Sequence, residues 1–412
     1  MLFYNLGVYL YTLSIFLASA FKPKAKLWVQ GRKNWKERYA EQLIKLSEHK
    51  KIWVHCASLG EFEQGRTIIE SIKKQHPSYK IVLTFFSPSG YEVCKNYENA
   101  DAIFYLPHDS KSNAKAFLDL VKPDKIIFIK YEFWVNYLIQ IKKKNIDCYL
   151  VSAVFKNHHP FFKWYGKVFI KSLAAFKILF VQDKNSQKLL QTINITNVEI
   201  CGDTRFDRVL EIKNKFSPVA EIEKFKGNSK LIIAGSTWPD DEELILESFK
   251  ELKLSNTKLI IVPHDIEERL LKETISKINK QQLSYSLFTE SIDTNSQVLI
   301  LNTMGLLSKS YHYANQAYIG GGFDGGIHNC LEPAVYGVPV TFYGNDFSKY
   351  NEAVDLVNLK VAINVNSKEE LKKAWLHYFT SQQSSNEISE KLNTYFNANS
   401  KVTERILSHI QF

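Results

Sequence analysis

Apolar and polar positions along this chain follow two rhythms. Short runs of β-branched and aromatic residues, such as Ile52-Trp53-Val54 and Leu231-Ile232-Ile233, alternate with longer stretches whose apolar residues recur at the helical period. This alternation predicts parallel sheets covered by helices. Strands are expected in the first half at 52–57, 80–86, 102–106, 125–130, 147–152, 177–182 and 197–201. In the second half they are expected at 230–236, 258–263, 297–301, 316–320, 338–342 and 361–364. Between the two sets lies the charged, non-periodic stretch 206–228, with a Ser-Pro and a Gly-Asn, which reads as a linker.

A chain of 412 residues exceeds one compact core and suits two domains. The expected division is 22–205 for a first doubly wound domain, 206–228 for the linker and 229–412 for a second. Open α/β sheets bind ligands beyond the carboxyl ends of their strands, so two such domains in tandem would face one ligand across a cleft.

Residues 1–21, MLFYNLGVYLYTLSIFLASAF, carry no charged side chain and approach the length of a membrane-crossing helix. Lys22, Lys24, Lys26, Arg32, Lys33, Lys36 and Arg38 follow directly. Positive charge beside an apolar segment marks the cytoplasmic side, whereas a cleaved signal would place it in front. The segment is therefore expected to be a retained membrane anchor. The net charge of +10 favours acidic partners, and the anchor points to lipid rather than nucleic acid, for which no binding module is present. The five cysteines show no CxxC spacing and suit reduced core thiols in the cytoplasm.

Candidate chemistry lies at strand ends. Residues 317–344, AYIGGGFDGGIHNCLEPAVYGVPVTFYG, place Gly320, Gly321 and Gly322 after a strand, a second pair at Gly325 and Gly326, then His328, Asn329 and Glu332 at a helix start. Backbone without Cβ admits a phosphate, a helix amino end favours an anion, and a carboxylate one turn in can hold ribose hydroxyls. Ser236 and Thr237, Pro263 and His264, and Met304 and Gly305 end other strands of this domain and complete a nucleotide site; Ser236 or Thr237 alone reads as a helix cap. The acids Asp240 to Glu243 are expected to form a solvated first turn. In the first domain Glu61 follows the Ser-Leu-Gly turn after the first strand. It reads either as a partner of the helix dipole or, if an activated sugar is bound, as the base that deprotonates an acceptor hydroxyl. Glu63 suits the dipole role. The turn lacks the GxGxxG spacing of a nicotinamide site, and no metal-ligand spacing is found.

Taken together, ASLGE, SPSGYE, YLPHD, IKYEFW, GDTRFD, GSTW, NTMG and GGGFDGGIHNCLEPAVYGVPV, in this order and covering nearly the whole chain, resemble the 3-deoxy-D-manno-octulosonic acid (Kdo) transferases of Gram-negative bacteria. The resemblance implies an inverting GT-B glycosyltransferase at the inner membrane, with its catalytic domains cytoplasmic. It would move Kdo from CMP-Kdo to the lipid A precursor in lipopolysaccharide biosynthesis, with neither cofactor nor metal. It further implies Glu61 as base, Asn329 and Glu332 as CMP ligands, and Arg205 as the cation opposite the departing phosphate. Met304 and Gly305 would meet the cytosine, and Glu132 would assist. Ser87, Ser89 and Gly90 then read either as an acceptor phosphate site or as a cap. The chain departs from the family pattern at Lys130, Val135 and Leu306, and His264 stands where an arginine is common. Rival readings are a UDP-sugar transferase or epimerase of the same architecture, and a catalytically inert membrane-bound nucleotide-binding adaptor.

Overall fold

A computed structural model describes all residues except Asp324, Gly325, Asn345 and Ser381, and gives the backbone alone for 382–385. Gly325 of the second glycine pair therefore lies outside the described residues. The chain divides into two compact units, Met1–Arg208 with Asn399–Phe412, and Val209–Ala398.

The first unit contains a seven-stranded sheet. Its strands are β1 (Lys51–Cys56), β2 (Lys80–Phe85), β3 (Ala102–Tyr105), β4 (Lys125–Ile129), β5 (Asp147–Ala153), β6 (Ile178–Val181) and β7 (Val198–Ile200). Every pairing is parallel, in the order β3-β2-β1-β4-β5-β6-β7. Because successive side chains of a strand point to opposite faces, Trp53, Val82, Phe128 and Leu150 build one core, and Ile52, Val54, Leu83 and Ile127 build the other.

The second unit repeats the architecture with β8 (Lys230–Thr237), β9 (Thr257–Pro263), β10 (Tyr285–Leu287), β11 (Val298–Ile300), β12 (Gln316–Ile319), β13 (Val340–Tyr343) and β14 (Ala362–Val365). These are also parallel, in the order β10-β11-β9-β8-β12-β13-β14. Ile232, Leu259 and Ile300 pack against Ile245, Leu371 and Trp375 of flanking helices. All strands expected from the sequence are present, and β10 is one that the pattern did not reveal. Only Ser286 is buried in its three residues, so no apolar run marks it.

The expected division is corrected at both ends. Residues 206–228 are not a structureless linker: they carry the helices Arg205–Asn214 and Ala220–Lys226, and the second helix buries Ile222 and Phe225. The last residues belong to the first unit, because Val402, Ile406, Leu407 and Ile410 fill the core beside β1 and β2. Asp207 fixes the start of the closing helix Val402–Ser408 by accepting the backbone N–H groups of Val402 at 3.3 Å and Thr403 at 2.6 Å.

The apolar amino terminus folds as the helix Leu2–Ala18, which buries none of its residues fully. No described helix is long and apolar enough to cross a membrane alone. This helix and Pro23–Gly31, bent by 120° from it, meet that test only as a pair. Arg32 leaves the basic cluster expected after it. Its guanidinium is buried over the Trp28 ring at 3.8 Å and donates to the carbonyls of Trp28, Phe86 and Leu106. Burial lowers its pKa to about 9. All five cysteines are buried, and none forms a disulfide among the described residues.

Candidate functional site

In a doubly wound sheet the ligand crevice opens where the strand order reverses. In the first unit the reversal falls between β1 and β4, and the sequence-derived residues gather at those strand ends. Ser58 caps the helix Leu59–Gln75. The Glu61 carboxylate reaches back as the third helical residue and accepts from the Ser58 backbone N–H at 3.1 Å and from the Ser58 hydroxyl. Both bonds fall on Oε2, and Oε1 has no hydrogen bond among the described residues. Glu61 is thus held by the helix start through one oxygen, as the dipole reading expects. Glu63 is committed elsewhere, to Arg208 at 2.9 Å and Arg66 at 3.5 Å.

The other candidates of this unit are more structural than the sequence suggests. Glu132 is 5% exposed, with Oε2 at 3.0 Å from His55 Nε2 and 2.5 Å from Trp134 Nε1. His55 Nδ1 in turn lies 2.8 Å from the Thr84 hydroxyl. An assisting role for Glu132 would therefore act through this buried network. Ser87 caps the short helix Pro88–Cys94, as one of its two readings expects, and Ser89 is exposed. Gly90 is buried against the Phe85 ring, where a Cβ would collide, so close packing accounts for this glycine. Arg205 forms a two-pronged ion pair with Asp203, through Nε at 2.8 Å and Nη2 at 2.6 Å. Tyr131, which the sequence did not single out, lies in the field of several of these groups. Burial raises its pKa, and it sits in the fields of Arg205, Asp203, Glu61 and Asp183. Glu61 and Arg205, far apart in sequence, thus share one electrostatic neighbourhood.

In the second unit the reversal falls between β8 and β12, which end at Ser236-Thr237 and at the glycine turn. Two acids of the following helix are not solvated. Asp241 is 0% and Glu242 2% exposed, whereas Asp240 and Glu243 do face solvent. Asp241 Oδ2 accepts the N–H groups of Trp238 at 3.0 Å and Gly321 at 2.9 Å, and its Oδ1 accepts the Tyr318 hydroxyl at 2.8 Å. One carboxylate thereby ties the helix start to the glycine turn. Thr237 is no helix cap, since its hydroxyl donates to Glu242 at 3.2 Å and Trp238 occupies the cap position. Ser236 stands in the left-handed region with φ +54°. Gly321, with φ +96°, has the backbone freedom this turn requires, and a Cβ on Gly322 would strike the Tyr343 carbonyl.

Pro263 closes β9, and the His264 N–H donates to the Thr237 carbonyl at 2.9 Å. The His264 ring lies in a stack between Trp238, with centroids 4.7 Å apart, and His328, 4.5 Å apart. Burial and the neighbouring His264 depress the His328 pKa to about 4. Asn329 Nδ2 donates to Glu332 Oε1 at 3.2 Å, while Ser308 donates to Glu332 Oε2 at 2.7 Å. Ser308 lies just beyond Met304, which is 68% exposed, and Gly305, with φ +87°. Ser308, which the sequence gave no reason to choose, thus ties the Asn329–Glu332 pair to the segment that follows Met304 and Gly305. Asp241 carried no capping signal, because the residue three before it is a tryptophan, which has no side-chain oxygen to cap with. Among the described residues no group of three or more His, Cys, Asp or Glu could hold a metal ion.

Residues 33–208 match the family model described as 3-Deoxy-D-manno-octulosonic-acid transferase (kdotransferase). The 3-deoxy-D-manno-octulosonic acid transferase of Aquifex aeolicus is 32% identical over 306 residues, covering 73% of this chain and 78% of that protein. That of Rickettsia bellii is 27% identical over 395 residues, 91% of each. A bifunctional glycosyltransferase/methyltransferase of Fusobacterium nucleatum is 26% identical over 391 residues, and this chain spans 58% of its length. Among solved structures, the UDP-GlcNAc 2-epimerase of Neisseria meningitidis bound to UDP-GlcNAc superposes with TM-score 0.64 at 14% identity, over 87% of this chain and 98% of that one. This likeness extends to the fold alone. By the match to the Aquifex protein over most of both chains, this chain belongs to the 3-deoxy-D-manno-octulosonic acid transferase family.

Proposed function

We propose that the protein transfers Kdo from CMP-Kdo to the anionic glycolipid precursor of lipid A, with inversion at the anomeric carbon. Glu61 takes the proton of the acceptor hydroxyl as the hydroxyl oxygen bonds to the anomeric carbon, and CMP departs with the electron pair of the broken bond on its phosphate oxygen. The observation that carries this reading is the divided duty of the Glu61 carboxylate at the sheet's reversal point, with Oε2 held by Ser58 and Oε1 without a hydrogen bond among the described residues. A carboxylate fixed in this way keeps its aim without spending its second oxygen.

The donor falls to the second unit. Asn329 and Glu332 hold the CMP ribose, the glycine turn at Gly321 and Gly322 admits the phosphate, and Met304 and Gly305 approach the cytosine. Ser236, Thr237, Pro263 and His264 line the same strand ends. Arg205, aimed by Asp203, supplies the cation that offsets phosphate charge. The chemistry needs no metal ion. The helix Leu2–Ala18 holds the protein at the inner membrane with its catalytic units in the cytoplasm, and the lysines that follow attract an anionic surface.

The test is transfer of radiolabelled Kdo, generated as CMP-Kdo in situ, by membranes carrying the protein or its Glu61→Gln variant. Glutamine preserves the capping geometry and removes the base, so transfer should fall by about 10²–10⁴-fold while CMP binding persists. Undiminished transfer by the variant would remove Glu61 from the mechanism. No transfer by either form, together with stabilisation by UDP, would assign a different donor.

A further inference from the structure

Beside the residues assigned so far lies a cavity of about 290 Å³ that the proposed reaction does not use. The helix Leu2–Ala18 forms one wall through its half-buried Tyr4, Val8 and Thr12 and the more exposed Phe3, Gly7 and Tyr11, and Trp28, Phe86 and Trp134 form the other. The acid and the histidine of its lining are committed to the protein. Asp109 accepts the Tyr4 hydroxyl and the backbone N–H groups of Asn136 at 3.1 Å and Tyr137 at 3.0 Å. His108 is bonded to Asn113 at 3.2 Å. The buried Arg32 behind Trp28 and Phe86 likewise donates to three backbone carbonyls. The lining thus offers little to a sugar or a nucleotide and much to a hydrocarbon.

From these walls we infer that the cavity takes an acyl chain of the lipid acceptor. The inference rests on the acceptor proposed above and adds where one of its tails is held. Two observations favour this occupant. The outward side of the helix is apolar too, with Leu2 79%, Leu6 51%, Leu10 53% and Leu17 63% exposed, so a chain passes from a bilayer to the cavity over apolar surface. The far wall is also wired to the base. The N–H groups of Phe86 and Ser87 donate to the Ala57 carbonyl at 3.1 and 2.7 Å, next to the Ser58 that holds Glu61. A seated tail therefore fixes the distance between its own headgroup and the carboxylate. The amino-terminal helix becomes part of the acceptor site as well as an anchor.

Gly7 provides the test, because it lines the cavity and a Cβ added there meets nothing within 4 Å, so a bulky side chain can be placed at the lining without a clash. Quenching of tryptophan fluorescence by 9,10-dibromostearate below its micellar concentration reports occupancy through Trp28 and Trp134. The full chain should show saturable quenching, retained in Gly7→Ala, weakened at least fivefold in Gly7→Phe, and displaced by the tetraacyl acceptor. With acceptor and CMP-Kdo as substrates, Gly7→Phe should raise the acceptor KM severalfold and leave the CMP-Kdo KM unchanged. Equal quenching in Gly7→Phe and the unaltered protein overturns the inference. Quenching that the acceptor does not displace gives the cavity to bulk lipid and overturns it equally. Failure of the unaltered protein to float with vesicles would refute the anchor, and absence of Kdo transfer would refute the proposed reaction; neither changes the quenching result.

Discussion

Asp241 offers the sharpest test of how the second unit is built. Its carboxylate is fully buried and accepts three hydrogen bonds, from Trp238 N–H, Gly321 N–H and the Tyr318 hydroxyl. Replacing it with alanine leaves three buried donors without an acceptor, each costing about 1–3 kcal/mol. Against that, burial raises the Asp241 pKa despite those bonds, so some of the cost of confining its charge is recovered on removal. The net expectation for Asp241→Ala is a loss of about 3–5 kcal/mol. Asp241→Asn can turn its oxygen to the two N–H groups and its amide to the Tyr318 oxygen, and should cost only about 1 kcal/mol. Urea unfolding followed by tryptophan fluorescence measures both, and CMP binding should weaken in parallel because the glycine turn loses its tether. If alanine costs no more than asparagine, the carboxylate does not organise this turn and the argument fails.

Two further outcomes follow from individual contacts. His328 has its folded pKa depressed from 6.5 to about 4, so the unfolded chain takes up the proton first as pH falls. Its contribution is complete above pH 6.5 and is lost as pH falls towards 4, by about 3 kcal/mol for that shift. The unfolding free energy of His328→Phe should therefore depend less on pH across this window, and parallel pH profiles for the two proteins would count against it. Asp207→Ala should free the closing helix from its two capping bonds at a cost of about 1–2 kcal/mol, read as faster amide exchange at 402–408 than in the unaltered protein.

Much of this molecule was legible in its sequence because the relevant signals are local. A parallel strand covered on both faces must be apolar along its length, so runs such as Ile52-Trp53-Val54 declare themselves, whereas β10 at a sheet edge buries too little to show. A capping box is a spacing of three residues, and Ser58 and Glu61 carried it openly. Asn329 and Glu332 likewise meet because they lie one helical turn apart.

What the sequence left undecided depended on partners distant along the chain. Asp241 and Glu242 read as a solvated first turn until Gly321, Tyr318 and Thr274 came to meet them. Arg32 read as one of a run of surface cations, yet its neighbours in space are Trp28, Phe86 and Leu106. The closing helix looked like the end of the second domain, but its apolar side is complementary to the core beside β1 and β2. Local chemistry thus determined the strands, the helix starts and the order of the motifs. Burial is a property of the assembled chain, and only the tertiary structure decided which charges are confined, which glycines serve packing and where the last residues belong.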